Sequence, residues 1–401
     1  DPYQLATVYT SETAFEGNPL QTSSTIGMTP DLKPEKTSSI EVGMEAAFFN
    51  NRLHLDFTYY KTDSRNQILK LATSASSGYT SQVRNAGHIR NRGYEIQLGA
   101  IPVQASNGFR WNLGLNYGSN RSKVIKLDDE GLITSYQLYS SGIQVLASVG
   151  EAYGTLFGTA YVRDDNGKIV VDDNGLPKIS STNKTLGKFT PDWMGGISNT
   201  FSYGSFSLSF LVDASVGGSI FSNTNKTGKY TGVLANSLPG RDAEHGGLWY
   251  YTDAAGSNVL LAETPSYSVT SDGLYYGQVN GQPIRIYQDG IVVDGVTEGG
   301  AKNNQVVSAE KYYHRIYSIA ESNVYDASYV KLREVSLSYR LPHIWSQKLH
   351  LQEAVVTLTG RNLWTIYKDA PNIDPESAMT AGNAQGVEAY SLPTTRSFGV
   401  N

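Results

Sequence analysis

The chain contains no cysteine, which excludes a disulfide framework and any thiolate metal site. Nowhere in its 401 residues does an apolar run approach a membrane helix, which needs roughly 18. Any passage through a bilayer must therefore be made by strands. Charge is sparse, at 17% of residues against about 25% in soluble domains. The net charge of -5 gives no support for nucleic-acid binding. The opening DPYQLATVYT has neither a basic n-region nor an apolar h-region, so any leader is expected to have been removed or to lie far upstream. There is no H-E-x-x-H, G-x-S-x-G elbow, Walker loop or dinucleotide fingerprint. The six histidines are scattered. No catalytic residue, metal site or cofactor is expected.

Strand signals are what the sequence has in abundance. Gly 40 and Tyr 27 are both high, as expected for many turns and aromatic girdles. Within Val324–Leu341, Val335, Leu337, Tyr339 and Leu341 alternate with Glu334, Ser336, Ser338 and Arg340, a two-residue period that splits apolar and polar sets onto opposite faces of a strand. Thr37–Asn50, Arg52–Lys61, Gly93–Ala100 and Phe109–Tyr117 repeat the pattern, as do Asp192–Tyr203, Ser205–Gly217, Gln352–Asn362 and Ala389–Asn401. That makes about nine strands, or eleven if the KIVV between two DDNG turns pairs with a neighbour. The DDNG pair at Asp164–Gly167 and Asp172–Gly175 reads either as a calcium loop or as two tight turns bounding a short strand.

The connections alternate between short and long. The short ones are Asn50-Asn51, Val103–Gly108, Gly204 and Pro342–Lys348; the long ones fall at about 63–87, 121–190, 218–323 and 363–388. Outer-membrane barrels place short turns on the periplasmic side and longer loops outside, so the fold expected is all-β, a transmembrane antiparallel β-barrel. An odd strand count and entry from the loop side point to the C-terminal part of a larger barrel.

Several blocks resemble the SusC/RagA family of TonB-dependent outer-membrane transporters: Asn18–Lys61, Asn85–Gly99, Leu186–Gly218, DASYVKLREVSLSYRLP (Asp326–Pro342), Gly360–Glu376 and Tyr390–Asn401. The resemblance implies a plugged barrel of roughly 22 strands in the cell outer membrane, with the plug and first barrel half outside this sequence. It implies import of oligosaccharides or oligopeptides, energised by TonB–ExbB–ExbD through the plug. It also implies a SusD-like surface lipoprotein as partner and a dimer of transporter–lipoprotein pairs in outer-membrane lipid. A passive porin and a secreted β-sandwich binding protein or adhesin are the rival readings. Trp249, Tyr250, Tyr251 and Trp364 are candidates for ligand or partner contact, because aromatic faces suit sugar rings and peptide side chains; packing is the alternative for each. Glu41, Glu45, Asp56, Glu95, Arg110, Asn112, Glu334 and Arg340 are expected to face the lumen and the plug.

Overall fold

A computed structural model describes residues 9–348, 350–379 and 382–401. Nine strands form one antiparallel sheet in which order in space follows order in sequence. They are β1 (Lys36–Phe48), β2 (Leu53–Arg65), β3 (His88–Gln104), β4 (Arg110–Lys126), β5 (Trp193–Tyr203), β6 (Phe206–Val216), β7 (Tyr329–Arg340), β8 (Val355–Lys368) and β9 (Ser397–Val400). The fold is all-β, and within the described residues the sheet is open, with β1 and β9 at its edges. Successive antiparallel strands send alternate connections to opposite ends. The short ones (49–52, 105–109, 204–205, 341–354) therefore share one end, and the long ones (66–87, 127–192, 217–328, 369–396) share the other.

Turn chemistry fits the short end. Phe49, Asn50 and Asn51 all have positive φ, as does Gly204, and asparagine and glycine tolerate that region best.

The two faces differ as the two-residue period dictates. Ala46, Leu55, Leu98, Leu115, Ile197, Val212, Leu332 and Trp364 are successive cross-strand partners along a single row of one face. Ile40, Val42, Met44, Tyr203, Phe206 and Leu358 lie on that face with large exposed surfaces. Aromatic rings gather at both of its ends. Tyr59 pairs with Tyr94 and Tyr117 with Trp193 near the long connections, while Phe109, Trp111 and Phe201, and then Phe206 with Tyr339, cluster near the turns. From Trp193 to Tyr203 the chain advances ten residues. At about 3.3 Å per residue and a tilt near 40°, this spans roughly 25 Å, the height of the apolar band of membrane barrels.

Two strands run well past their expected ends. β3 and β4 are each 17 residues long, where the alternation suggested eight or nine. The extra length of β4, and His88–Arg92 of β3, lie on the long-connection side, where charged residues take the apolar positions; β3 also gains Ile101–Gln104 toward the turn. Conversely, the expected last strand pairs with β8 only from Ser397 onward, with Asn401 exchanging backbone hydrogen bonds with Thr357.

The large, fully buried apolar side chains sit in the long connections and the strand ends beneath them: Phe221, Leu127, Leu156, Ile220, Ile286, Ile319 and Val387 among them. Ile143, Val145 and Leu156 from the second connection, Phe221 and Ala320 from the third and Val387 from the fourth form one cluster. The third connection is itself folded. It carries α1 (Asn223–Thr231), α2 (Ala309–Tyr317) and a small sheet built on Leu248–Thr252 and Gln282–Val292. Arg163–Glu321 at 2.7 Å and Arg315–Asp172 at 3.0 Å tie the second connection to the third.

Candidate functional site

The polar face carries the residues that the alternation assigned to it. Glu45, Asp56, Gln97 and Asn116 are consecutive cross-strand partners in one row, which continues through Gly196 to Asp213 and Lys331. Two carboxylates directly opposite each other, Glu45 and Asp56, repel and persist on a face open to water. Glu41 lies across from Tyr60 and accepts from Ser39 Oγ at 3.1 Å. Glu95 lies across from Thr58 and Gly118. Arg110 Nε donates to Asn112 Oδ1 at 2.9 Å, and Arg361 Nε to Glu334 Oε2 at 2.9 Å. Arg340 sits apart at the turn end, 2.8 Å from Glu353, with both side chains largely exposed.

Where this face meets the long connections, it opens into a polar pocket of about 480 Å³. Ser64, Asn91, Asn120 and Ser122 form its floor, Tyr153, Phe189 and Thr190 of the second connection its wall, and Asn383 of the fourth its roof. A second lobe of about 350 Å³, with Tyr60 and Glu95, shares Asn120, Phe189 and Thr190. Tyr153 Oη donates to Asn383 Oδ1 at 3.0 Å, and Tyr153 N donates to Ser122 Oγ at 3.1 Å. Asn120 Oδ1 is buried and finds no partner among the described residues. Glycines make room for the wall. A Cβ on Gly93 would lie 2.3 Å from Ser119 O and 2.5 Å from Tyr60 Oη, and one on Gly154, at φ +85°, would lie 2.0 Å from the Phe189 ring. The lining holds no cation and one carboxylate, Glu95. Amides and hydroxyls beside aromatic rings suit an uncharged polar ligand.

A charged lock holds the fourth connection over this mouth. Lys331 Nζ lies 2.6 Å from Asp374 Oδ1 and also contacts Glu376, while Arg333 bridges Asp213, at 2.7 Å, and Glu376. Thr394 Oγ1 donates to Asp374 Oδ2 at 2.6 Å. Burial pushes the Asp374 carboxyl up, but the hydrogen bonds from Lys331 and Thr394 outweigh it and hold the group at about 2. The opposing causes resolve the same way at Glu376, which is also lowered. Glu388, fully buried, accepts from Ser222 Oγ, Thr224 Oγ1 and Ser391 N. Its charge thus sits at the N-terminus of α1, where a helix favours an anion. Of the residues of the pocket and the lock, only Glu95 was singled out from sequence; Asn120, Ser122 and Tyr153 lie outside the family-like blocks, whereas Lys331, Arg333, Asp374 and Glu376 lie within them.

The aromatic candidates are placed otherwise than expected. Trp249 and Tyr250 are buried. Trp249 stacks on Tyr267 at 5.0 Å with Tyr275 edge-on, while Tyr250 stacks on Tyr287 at 5.1 Å and donates to Asp289 at 3.2 Å. One face of each ring is covered by a stacked neighbour, and burial places both in the packing of the third connection; Tyr251 is only partly buried. Trp364 is 59% exposed on the apolar face opposite Leu332, away from the pocket. Both DDNG segments are tight turns. Asp164 Oδ1 accepts from the Asn166 and Lys168 amides, Asp172 Oδ1 accepts from those of Asn174 and Leu176, and Asp172 Oδ2 is bound to Arg315.

Comparison with known proteins agrees with this architecture. A family model described as TonB dependent receptor-like, beta-barrel, matches residues 2–363. TonB-dependent receptor P3 of Formosa agariphila is 25% identical over 397 residues, covering 92% of this chain and 34% of that protein. TonB-dependent receptor P26 of the same organism is 24% identical, covering 100% and 38%. Among solved structures, the RagAB peptide transporter is similar with a TM-score of 0.64 at 20% identity, covering 99% of this chain and 38% of that one. The RagAB peptide importer in its closed-closed state gives 0.65 at 19% identity over the same shares. The chain therefore spans between a third and two-fifths of the length of these four proteins.

Proposed function

Since the chain belongs to the TonB-dependent receptor β-barrel family, we propose that it forms the C-terminal barrel wall and ligand-collecting mouth of an outer-membrane importer. Such an importer takes up oligosaccharides or oligopeptides and draws energy from TonB–ExbB–ExbD through a plug. Its long connections face outward, the side on which outer-membrane barrels carry their longer loops, and a SusD-like lipoprotein covers them. The observation that carries this reading is the pocket, rich in amides and hydroxyls and free of cations, between the polar face and the joined long connections. Its amides and hydroxyls pair with sugar hydroxyls or peptide groups alike, and its aromatic walls give an apolar surface to either. The inward positions Glu41, Glu45, Asp56, Glu95, Arg110, Asn112 and Glu334 line the path below it and contact the plug.

The test replaces Asn120 and Asn383 by leucine in the full-length protein and measures uptake of candidate oligomers together with heat-modifiable electrophoretic migration. The expected result is normal barrel assembly with uptake reduced at least tenfold, as two polar contacts to the ligand of about 1 kcal/mol each are lost. Unchanged uptake by an assembled variant would refute the assignment of this pocket.

A further inference from the structure

The apolar face ends, toward the long connections, in the rings of Tyr59, Tyr94 and Tyr117. The next row on the same face is Lys61, Arg92 and Arg121, which are direct cross-strand partners. Three like charges side by side on neighbouring strands destabilise a sheet. The row beyond consists of Asp63, Arg90 and Lys123. Its one carboxylate is already bound to Arg90 at 2.9 Å and His88 at 2.5 Å, with Lys61 4.0 Å away. Arg92, Arg121 and Lys123 are exposed and form no ion pair among the described residues. Arginine is suited to phosphate because its planar fork donates two parallel hydrogen bonds. Cations just past an aromatic girdle lie at headgroup depth.

We propose that Arg92, Arg121 and Lys123, with Lys61, form a binding site for the phosphate of a membrane lipid headgroup in the leaflet facing the long connections. The anion supplies the countercharge that the sheet lacks. The lipid's acyl chains then lie against Tyr94, Tyr117 and the apolar rows below. A free phosphate shares the headgroup chemistry but not the apolar half of the site, so the lipid is the occupant argued for.

This inference rests on the outer-membrane reading. The full-length protein and an Arg92→Ser/Arg121→Ser/Lys123→Ser variant are extracted in detergent. Bound lipid is counted by native mass spectrometry during titration with diphosphorylated lipid A, its dephosphorylated form and inorganic phosphate. A cation near a charged surface contributes roughly a factor of five, so loss of three lowers affinity for the phosphorylated lipid about 100-fold. The dephosphorylated form is expected to bind both proteins equally and weakly, and millimolar inorganic phosphate should not displace the lipid. Equal binding of phosphorylated lipid to both proteins, or full displacement by inorganic phosphate, overturns the proposal. An Arg92→Lys/Arg121→Lys variant, which keeps the charge, controls for assembly and retains most of the affinity. Failure of the wild type to fractionate with outer membranes would instead refute the outer-membrane reading itself.

Discussion

Replacing Lys331 by methionine tests the lock over the mouth. The lysine is 4% exposed and its ammonium contacts Asp374 and Glu376. Methionine keeps the length and the apolar stem but leaves Asp374, itself 8% exposed, without its ion pair. Removing one partner of a buried pair costs about 3–5 kcal/mol. Arg333 still neutralises Glu376 and Thr394 still donates to Asp374, so the lower figure of about 3 kcal/mol applies, roughly a 100-fold change in an opening equilibrium. Hydrogen exchange on the detergent-solubilised protein reads this directly. The amides of Glu376 and Ser377, bonded to Asp374 Oδ1 and O at 3.1 and 2.9 Å, should lose about 100-fold protection while those of β5 and β6 hold. Adding Asp374→Asn removes the stranded charge and should restore most of the loss. Less than threefold change at Glu376 and Ser377 in the single variant would refute the reasoning.

Three further outcomes follow from the same geometry. Asp374, held at about 2 against about 3.9 unfolded, contributes about 2–3 kcal/mol that is complete above pH 4 and fades as pH falls toward 2; exchange at the fourth connection measured from pH 5 to 2 should show it, and Asp374→Asn should flatten it. Lys229 in α1 donates to Ser322 O at 2.9 Å, and burial pushes its pKa down to about 8. The unfolded chain therefore binds more protons between pH 8 and 10.4, the third connection gains up to about 3 kcal/mol as pH rises through that window, and Lys229→Met abolishes the slope in pH-dependent exchange. Trp249→Ala should loosen the small sheet of the third connection by about 3–5 kcal/mol, seen as faster proteolysis between residues 248 and 292, whereas Trp364→Ala should leave it intact.

The strands were legible because each carries its period across the membrane band; Leu53, Leu55, Phe57 and Tyr59 need no partner to reveal a face. β7 was read only from Val335 onward because Leu211–Val212 opposes Glu334 and Leu332. Arg333 is thus an extra residue in a bulge that breaks the alternation and lets Arg333 join Lys331 in the lock. The upper halves of β3 and β4 escaped notice because above the aromatic row Arg90, Arg92, Arg121 and Lys123 take the apolar positions while Ile89 and Val124 fall on the opposite face, so the period does not continue. The pocket and the lock unite residues far apart in sequence, such as Asn120 with Asn383 and Lys331 with Asp374, which no local pattern links. The burial of Trp249 and Tyr250 was not legible because an aromatic cluster in a long connection reads alike whether its rings face a ligand or one another.

The shared core of the second, third and fourth connections separates where this mouth can vary from where it cannot. At Gly256, Gly273 and Gly281, hairpin tips of the third connection, an added side chain would meet nothing within 4 Å. At Gly158 of the second connection it would meet Ala320 of the third at 2.8 Å, and at Gly386 of the fourth it would meet Phe189 of the second at 2.7 Å. New recognition elements can therefore be grafted at the tips one at a time, like exchangeable fittings on a fixed mount. The seam between connections accepts change only when both sides change together, so descendants of this gene would diversify at the rim long before they remodelled the joint.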